Sequence, residues 1–121
     1  MNNLNSIILE GEILADVEPK ESLHGIYTEF TIGVKRTYKN AAGEEVEEES
    51  RFEVQAFGNV AGMLTRDDSK WGKKGQGVRI VGRLKQERWE CDGKQMSKVV
   101  VIAEHIEFKP RVKKIKKTED N

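Results

Sequence analysis

Aromatic and basic residues recur together in three stretches of this sequence. Aromatic rings can stack on flat heterocycles, which stabilises a complex by ~1–3 kcal/mol per base, and lysine and arginine can pair with phosphates. A single-stranded nucleic acid presents both kinds of group. The residues of the three stretches that could make such contacts are Lys35, Arg36, Tyr38, Arg51, Phe57, Arg79, Arg83, Lys85 and Trp89.

Alternation with a period of two determines which way these side chains point. In residues 78–89, Val78 and Ile80 share one parity, and Arg79, Arg83, Lys85 and Trp89 share the other. A half-buried strand turns one parity to the core and the other to solvent. Arg51 and Phe57 likewise occupy the parity opposite the apolar one in residues 51–58. The alternation therefore predicts that basic and aromatic side chains share an outer surface.

Exposed aromatic residues have a second interpretation. On a small domain they are also typical of a subunit interface, whose core is enriched in Tyr, Trp, Phe and Arg. The residues by themselves leave both interpretations open.

The chain is predicted to consist almost wholly of strands, one domain in 121 residues. Period-two apolar patterns and turn signals bound five strands and one short helix containing Val60, Met63 and Leu64, with an Asp92-Gly93 hairpin turn. Glycines at 11, 33 and 82 suit sharp bends inside strands. A small closed barrel follows from five strands with a helix between the third and fourth. The predicted strands are residues 6–15, 25–36, 51–58, 78–89 and 96–108; the helix lies within 59–76, and residues 37–50 and 90–95 are loops.

The formal net charge of zero hides an uneven distribution. Residues 44–49 carry five glutamates, which we interpret as the tip of an acidic hairpin. Residues 70–98 carry nine basic and three acidic residues, and residues 109–121 carry six basic and two acidic ones. A polyanion responds to the field within about a Debye length, ~10 Å at moderate salt, more than to the total charge. Residues 110–121 are predicted to form a basic, disordered tail beyond a domain of residues 1–109.

Several classes of protein are disfavoured by composition. No apolar run approaches the ~20 residues that a membrane-spanning helix needs, and the N-terminus lacks the features of a secretory signal. Cys91 is the only cysteine, and His24 and His105 lie far apart, so we expect no disulfide, metal or cofactor. No serine or cysteine has an evident base partner, so we expect that the protein is not an enzyme. The single cysteine favours a reducing environment, so we expect a cytoplasmic protein.

Four stretches resemble the bacterial single-stranded DNA-binding protein family. They are residues 5–13 (NSIILEGEI), 30–34 (FTIGV), 52–58 (FEVQAFG) and 75–84 (GQGVRIVGRL), the last running on to Trp89. The resemblance implies an OB-fold, a five-stranded Greek-key barrel that commonly assembles as a homotetramer and protects DNA in replication, recombination and repair, associated with the nucleoid. It also implies that Tyr38, Phe57 and Trp89 stack on bases and that Lys85 is a basic position of the same face.

The sequence departs from this family in three respects. Arg51 occupies a position where the family usually has an aromatic residue, and its guanidinium plane can still stack. Glu53 and Glu87 fall on the expected DNA face. The chain ends in lysine-rich residues instead of an acidic tip, which makes recruitment of partner proteins through such a tip doubtful. Two alternatives stay open: a primosome-type OB protein, often dimeric, and an oligomeric OB adaptor that binds no DNA.

Overall fold

The computed structural model describes residues 1–66 and 70–110. The chain forms strands over most of this length because β-branched and aromatic residues recur with a period of two. Seven elements follow one another: β1 (Ile7–Ile13), β2 (Lys20–Ser22), β3 (Gly25–Lys39), β4 (Glu45–Phe57), α1 (Gly58–Thr65), β5 (Gly77–Cys91) and β6 (Lys94–Phe108).

Five of the strands close into a barrel. They follow the order β1-β5-β6-β4-β3, and β1 returns to pair with β3 through Glu12 with Gly33 and Ile13 with Ile32. Every pairing is antiparallel except that of β4 with β6. The short β2 adds to the free side of β3. This arrangement, with α1 between the third and fourth barrel strands, confirms the predicted five-stranded OB-fold and its single helix.

The core lies inside the barrel and is formed by one parity of each strand. Phe30, Ile32, Val54, Ile80 and Val101 are almost completely buried there. Each such side chain stabilises the fold by ~1.5–3 kcal/mol relative to an exposed one. The helix α1 turns Ala61 and Leu64 towards this core, whereas Val60 and Met63 of the predicted apolar pattern are only partly buried. The opposite parity of the same strands is therefore directed away from the core.

The two predicted loops are wrong, because both segments belong to long hairpins. Residues 37–39 and 45–50 extend β3 and β4, and the acidic run lies in a strand directly opposite a basic one. Lys35 faces Glu49 and Arg36 faces Glu48, and opposite charges in facing positions stabilise strand pairing. Four of the five glutamates therefore lie in a paired strand and not in a hairpin tip; the tip consists of residues 40–44 and includes only Glu44.

The second hairpin is tighter than predicted. β5 and β6 pair through Cys91 and Lys94, so that only Asp92 and Gly93 form the turn. Their φ angles are 52° and 79°, the left-handed values that a two-residue turn of type I′ requires. The turn signal at Asp92-Gly93 is confirmed, and the strands simply run further towards it than the apolar pattern indicates.

A bulge in β6 changes the parity of that strand. Val81 pairs with His105 and Gly82 with Ala103, so Glu104 is the extra residue. The bulge allows Val101, Ala103 and then Ile106 to face the core, although a strict alternation would turn Ile106 outwards. Val100 and Ile102 are also buried, but on the opposite side of the strand.

Gly82 lies at the bulge and leaves no room for a side chain. A Cβ atom there would collide with the carbonyl oxygen of Ile102. We predict that Gly82→Ala destabilises the protein by about 3 kcal/mol, because a methyl group in a closely packed site forces the backbone apart. Chemical denaturation monitored by circular dichroism measures this change.

The matched control for that substitution is Gly62→Ala in α1. A Cβ at Gly62 meets no neighbouring atom within 4 Å, and alanine favours a helix over glycine by ~1 kcal/mol. The control should leave stability unchanged or raise it. Equal stability of the Gly82→Ala protein and the wild type would contradict the close approach of β5 and β6.

Candidate nucleic-acid interface

The side chains that point away from the core on β3, β4, β5 and β6 form one continuous surface, here called the outer sheet face. Directly paired residues share a face of a sheet, and the register places Tyr27 with Phe57, Glu29 with Gln55, Gln55 with Ile102, Lys85 with Val100 and Glu87 with Lys98. The face therefore runs from the end of β4 across β6 to the distal half of β5. Its members are Tyr27, Glu29, Glu53, Gln55, Phe57, Lys85, Glu87, Trp89, Lys98, Val100 and Ile102.

Aromatic rings lie at both ends of the outer sheet face. Phe57 is 50% exposed and stacks on Tyr27, with ring centroids 6.0 Å apart and planes 22° from parallel. Trp89 is 42% exposed, and the Lys98 ammonium lies 5.9 Å from its ring centroid. Exposed ring faces with cations nearby are what stacking on bases requires.

Lys98 of this surface and Lys20 of the adjacent β2 are held by carboxylates. The Lys98 Nζ lies 3.0 Å and 3.2 Å from the two Glu53 carboxylate oxygens, and the Lys20 Nζ lies 3.1 Å from Glu29 Oε1. Hydrogen bonds to these carboxylates raise the pKa of Lys98 and of Lys20 above their usual value. A phosphate that binds either lysine must therefore compete with a carboxylate that already occupies it.

The hairpin of β3 and β4 carries the second group of predicted residues. Tyr38 is 36% exposed, and the Arg36 guanidinium lies 4.6 Å from its ring centroid while bonding Glu48 at 3.2 Å. Tyr38 has the same parity as Phe30 and Ile32, so it lies on the opposite face of the β3–β4 ribbon from Phe57.

Lys35 and Arg51 share the other face of that ribbon. The Arg51 Nη2 lies 3.4 Å from Glu49 Oε1, and Glu49 also faces Lys35 across the two strands. The structure thus places Phe57, Lys85 and Trp89 on one face, with Phe57 and Lys85 lining one groove and Trp89 at the other end. Lys35, Arg36, Tyr38 and Arg51 lie on the extended β3–β4 hairpin beside this face.

Arg79 points away from the aromatic residues, whereas Arg83 pairs with Ile102 of the outer sheet face. Arg79 bonds Glu10 of β1 through Nε at 2.7 Å and lies 3.6 Å from Glu107. The hydrogen bonds from Arg79 and then from Lys109 hold the pKa of Glu10 below its usual value. Arg83 lies 3.2 Å from Glu104, the residue of the bulge, at the border of the outer sheet face. Each arginine therefore has a carboxylate partner, Arg79 beside β1 and Arg83 at the edge of the outer sheet face.

Comparison with known proteins identifies the family. The sequence model of the single-strand binding protein family matches residues 4–109. The chain belongs to this family. It is 38% identical over 111 residues to a single-stranded DNA-binding protein of Aquifex aeolicus, which covers 91% of this chain and 73% of that protein. A Fusobacterium nucleatum single-stranded DNA-binding protein is 28% identical over 106 residues, covering 87% of this chain and 66% of that protein.

Solved structures of the family share the fold. A Plasmodium falciparum SSB in complex with ssDNA superimposes with a TM-score of 0.78 at 17% identity, covering 91% of this chain and 98% of that one. A deletion mutant of the Thermus aquaticus single-stranded DNA binding protein gives 0.75 at 27% identity, covering 88% of this chain and 51% of that one. The family resemblance and the OB-fold that it implied are thereby confirmed.

Four residues of the candidate interface were not predicted from the sequence. They are Lys20, Tyr27, Gln55 and Lys98. The alternation in residues 25–36 already turned Tyr27 outwards, and pairing a fifth strand beside the fourth would have placed Lys98 near Trp89. Lys20 gives no such signal, because its strand is only three residues long.

The described residues contain neither a cluster of metal-binding side chains nor a membrane-spanning helix. Within residues 1–66 and 70–110, no group of three or more His, Cys, Asp or Glu side chains is arranged to hold a metal ion. Over the same residues, no helix has the length and apolar character needed to cross a membrane.

The Lys98–Glu53 ion pair should be detectable in the pKa of Lys98. Because the carboxylate favours the charged ammonium, the pair stabilises the fold below pH 10.5, and that stabilisation is lost as the pH rises through the higher pKa of the folded protein. We predict that Glu53→Gln lowers the pKa of Lys98 towards 10.5. Side-chain NMR titration of the Lys98 ε-carbon measures it.

Glu107→Gln is the control for this titration, since it removes the same charge from the far side of the barrel. It should leave the Lys98 midpoint unchanged. If Lys98 titrates at the same pH in the wild type and in Glu53→Gln, the ion pair does not persist in solution.

Proposed function

We propose that this protein binds single-stranded DNA with little sequence preference, on the outer sheet face. The observation that supports this most directly is that two exposed aromatic rings, those of Phe57 and Trp89, share one surface with Lys85 and Lys98. Stacking is tolerant of sequence because every base has a π-face, and lysines follow the phosphates between stacked bases. The names of the family's members, single-stranded DNA-binding proteins, agree with this chemistry.

The proposed contacts fall into three groups. Phe57 and Trp89 stack on bases, and Lys85, Lys98 and Lys20 pair with phosphates of the same stretch. On the β3–β4 hairpin, Tyr38 stacks and the basic residues bind further along the strand, once DNA displaces their carboxylate partners. Arg79 and Arg83 lie furthest from the rings and contribute least. The hairpin residues of this proposal are Lys35, Arg36, Tyr38 and Arg51.

Carboxylate partners make the binding an exchange of one anion for another. Each exposed ion pair contributes only ~0–1 kcal/mol, whereas every neutralised phosphate also releases condensed counterions. DNA therefore displaces Glu53 from Lys98 and Glu29 from Lys20 without a large energetic barrier. Protection of single strands in replication, recombination and repair, without catalysis, in the bacterial cytoplasm at the nucleoid, is the role that this binding supports.

The domain boundary is part of the same proposal. Residues 1–109 form the DNA-binding OB domain, in agreement with the match of the family model to residues 4–109. The predicted basic tail, residues 110–121, lies outside the described residues except for Pro110. The chain spans about three quarters of the Aquifex relative and two thirds of the Fusobacterium one.

Tryptophan fluorescence tests the stacking role of Trp89. Trp71, the other tryptophan, stacks on Phe108 at 4.9 Å, away from the outer sheet face. In Trp71→Phe, oligo-dT should therefore quench the remaining emission stoichiometrically. In Trp89→Ala, affinity for labelled oligo-dT should fall by roughly 5- to 150-fold, which corresponds to the ~1–3 kcal/mol of one stacked base.

Trp89→Phe is the matched variant in this experiment, because phenylalanine retains a ring that can stack. It should bind oligo-dT nearly as well as the wild type while most of the quenching disappears. Repeating the titration in increasing salt should give a logarithmic decrease of ~0.7 per phosphate contacted. Absence of any response of Trp71→Phe to oligo-dT at low salt would favour the oligomeric adaptor that binds no DNA.

Self-association forms the second part of the proposed function. Within the described chain, residues 7–11 of β1 pair with β5 on one side only, and Ile8 beside this edge is 67% exposed. An unpaired strand edge with an apolar neighbour is a surface that a second strand covers readily. A homotetramer, the assembly that the family commonly adopts, is the proposed state.

Sedimentation equilibrium tests the assembly. The wild type should sediment at four times the mass of the chain. Ile8→Lys should shift the protein towards smaller species, because a charge would have to be buried in the interface. A stable dimer in the wild type would favour the primosome-type alternative, and a monomer would contradict both.

A further inference from the structure

An open groove of about 280 Å³ lies between the aromatic end of the outer sheet face and β5. One wall is the stacked pair of Tyr27 and Phe57, and Lys85 lines the opposite side. Between them lie the carboxylates of Glu29 and Glu87 and the amide of Gln55. The groove thus joins a flat apolar wall to a floor of hydrogen-bonding groups. A nucleobase is complementary to such a groove, because its ring face can pack on the wall while its polar edge meets the floor.

Gln55 is the best defined group of this floor, since it is only 5% exposed. Its Nε2 lies 2.9 Å from Glu87 Oε2 and 3.4 Å from Glu29 Oε2. Ionised carboxylates only accept hydrogen bonds, so the amide nitrogen, and not the oxygen, must face them. Both bonds use the nitrogen, and no donor in residues 1–66 or 70–110 bonds the amide oxygen. The amide oxygen of Gln55 therefore remains able to accept a hydrogen bond.

The polar groups of the groove form a pattern of one donor and several acceptors. The ammonium of Lys85 donates, whereas Glu87, Glu29 and the Gln55 oxygen accept. The Ser22 hydroxyl, which also lines the groove, is already bonded to the Gly25 carbonyl and the His24 N–H of its own turn. Three negative or partially negative groups repel a phosphate, so the groove suits the edge of a base and not the backbone. Bases of a single strand are read on their Watson–Crick edges, which are free of a complementary strand.

Guanine has the Watson–Crick edge that complements this pattern. Its O6 accepts, and its N1–H and 2-amino group both donate, in that order along the edge. Thymine offers one donor between two acceptors, adenine one donor beside one acceptor, and cytosine one donor beside two acceptors. Only guanine supplies two adjacent donors to the acceptors and an acceptor to Lys85, whose ammonium keeps two further N–H donors for a phosphate outside the groove.

We propose that this groove is a base subsite that favours guanine, within a surface that is otherwise tolerant of sequence. The proposal rests on the proposed binding of single-stranded DNA. The guanine ring packs against the Tyr27–Phe57 wall while its N1–H and amino group donate to Glu87 and Gln55. A well-formed bidentate base contact discriminates by ~1–3 kcal/mol. Because this groove is open to water, the expected preference lies at the lower end, about fivefold.

Competition binding with oligo-dT strands of one length tests the subsite. The strands carry at their centre dT, dG, deoxyinosine, dA or dC, and each competes with labelled oligo-dT. The dG strand should bind about fivefold more tightly than the all-dT strand. Deoxyinosine, which lacks the 2-amino group, should fall between them. A single dG avoids the self-association of guanine-rich strands.

Two variants connect the preference to the groove. Gln55→Leu removes the amide acceptor, and Glu87→Gln removes a carboxylate while keeping nearly the same side-chain shape. In both, the ratio of dG to dT affinities should fall towards one. Glu107→Gln, with the same loss of charge on the far side of the barrel, should keep the wild-type ratio.

The outcomes separate this inference from the function on which it rests. Equal affinities of the wild type for the dG and dT strands, or equal affinities for dG and deoxyinosine, would overturn the guanine subsite. A preference for dG that persists in both Gln55→Leu and Glu87→Gln would overturn it as well. Failure to bind any of the strands would instead overturn the proposed function.

Discussion

The whole molecule depends on a short parallel ladder between β4 and β6. Val54 lies beside Val101 and Gln55 beside Ile102, and this contact joins the β3–β4 ribbon to the β5–β6 ribbon. Because neighbouring residues of a strand point to opposite faces, the same ladder aligns side chains both in the core and on the outer sheet face. Val54 and Val101 pack in the core, while Gln55 and Ile102 connect the aromatic end of the outer sheet face to Lys85. The site exists because the barrel closes at this point.

Charge on the protein is balanced locally and not only in total. Basic residues of the β3–β4 hairpin face glutamates across the strands, Lys98 is held by Glu53, and Arg79 by Glu10. The zero net charge therefore does not mean that the positive residues are absent from the binding surface, because many of them have a carboxylate beside them. Such pairs are exposed and weak in water, and a polyanion with condensed counterions is well suited to replace the acid partner.

Much of the fold followed from the sequence, because alternation is a local property. The barrel strands, the helix α1 and the outward direction of Phe57, Lys85 and Trp89 all come from period-two or helical patterns. The lengths of the two hairpins could not be predicted in this way, because charged residues that pair across strands show no apolar alternation. Tyr38 shows the consequence. Assigned to a loop, it had no parity; as a residue of β3 it shares the parity of Phe30 and Ile32 and faces away from Phe57.

Other parts of the site depend on contacts between segments distant in the sequence. The bulge at Glu104 shifts the parity of β6, which no pattern within that strand reveals. Arg79 was predicted on the same face as Trp89, and within β5 the two do have the same parity. Twist and curvature carry the two ends of a 15-residue strand to different sides of a small barrel. Arg79 therefore meets Glu10 of β1 instead of the aromatic residues.

Tolerance of sequence and a selective groove are compatible on one surface. Stacking at several rings adds ~1–3 kcal/mol for each base regardless of its identity, so the total affinity is set mostly by the number of bases bound. A single subsite that reads one edge adds a small increment to that sum. Its main physical effect is on register: a strand that can slide along the outer sheet face rests longest where a base with two adjacent donors reaches Gln55. The oriented amide thus influences where the strand lies more than whether it binds.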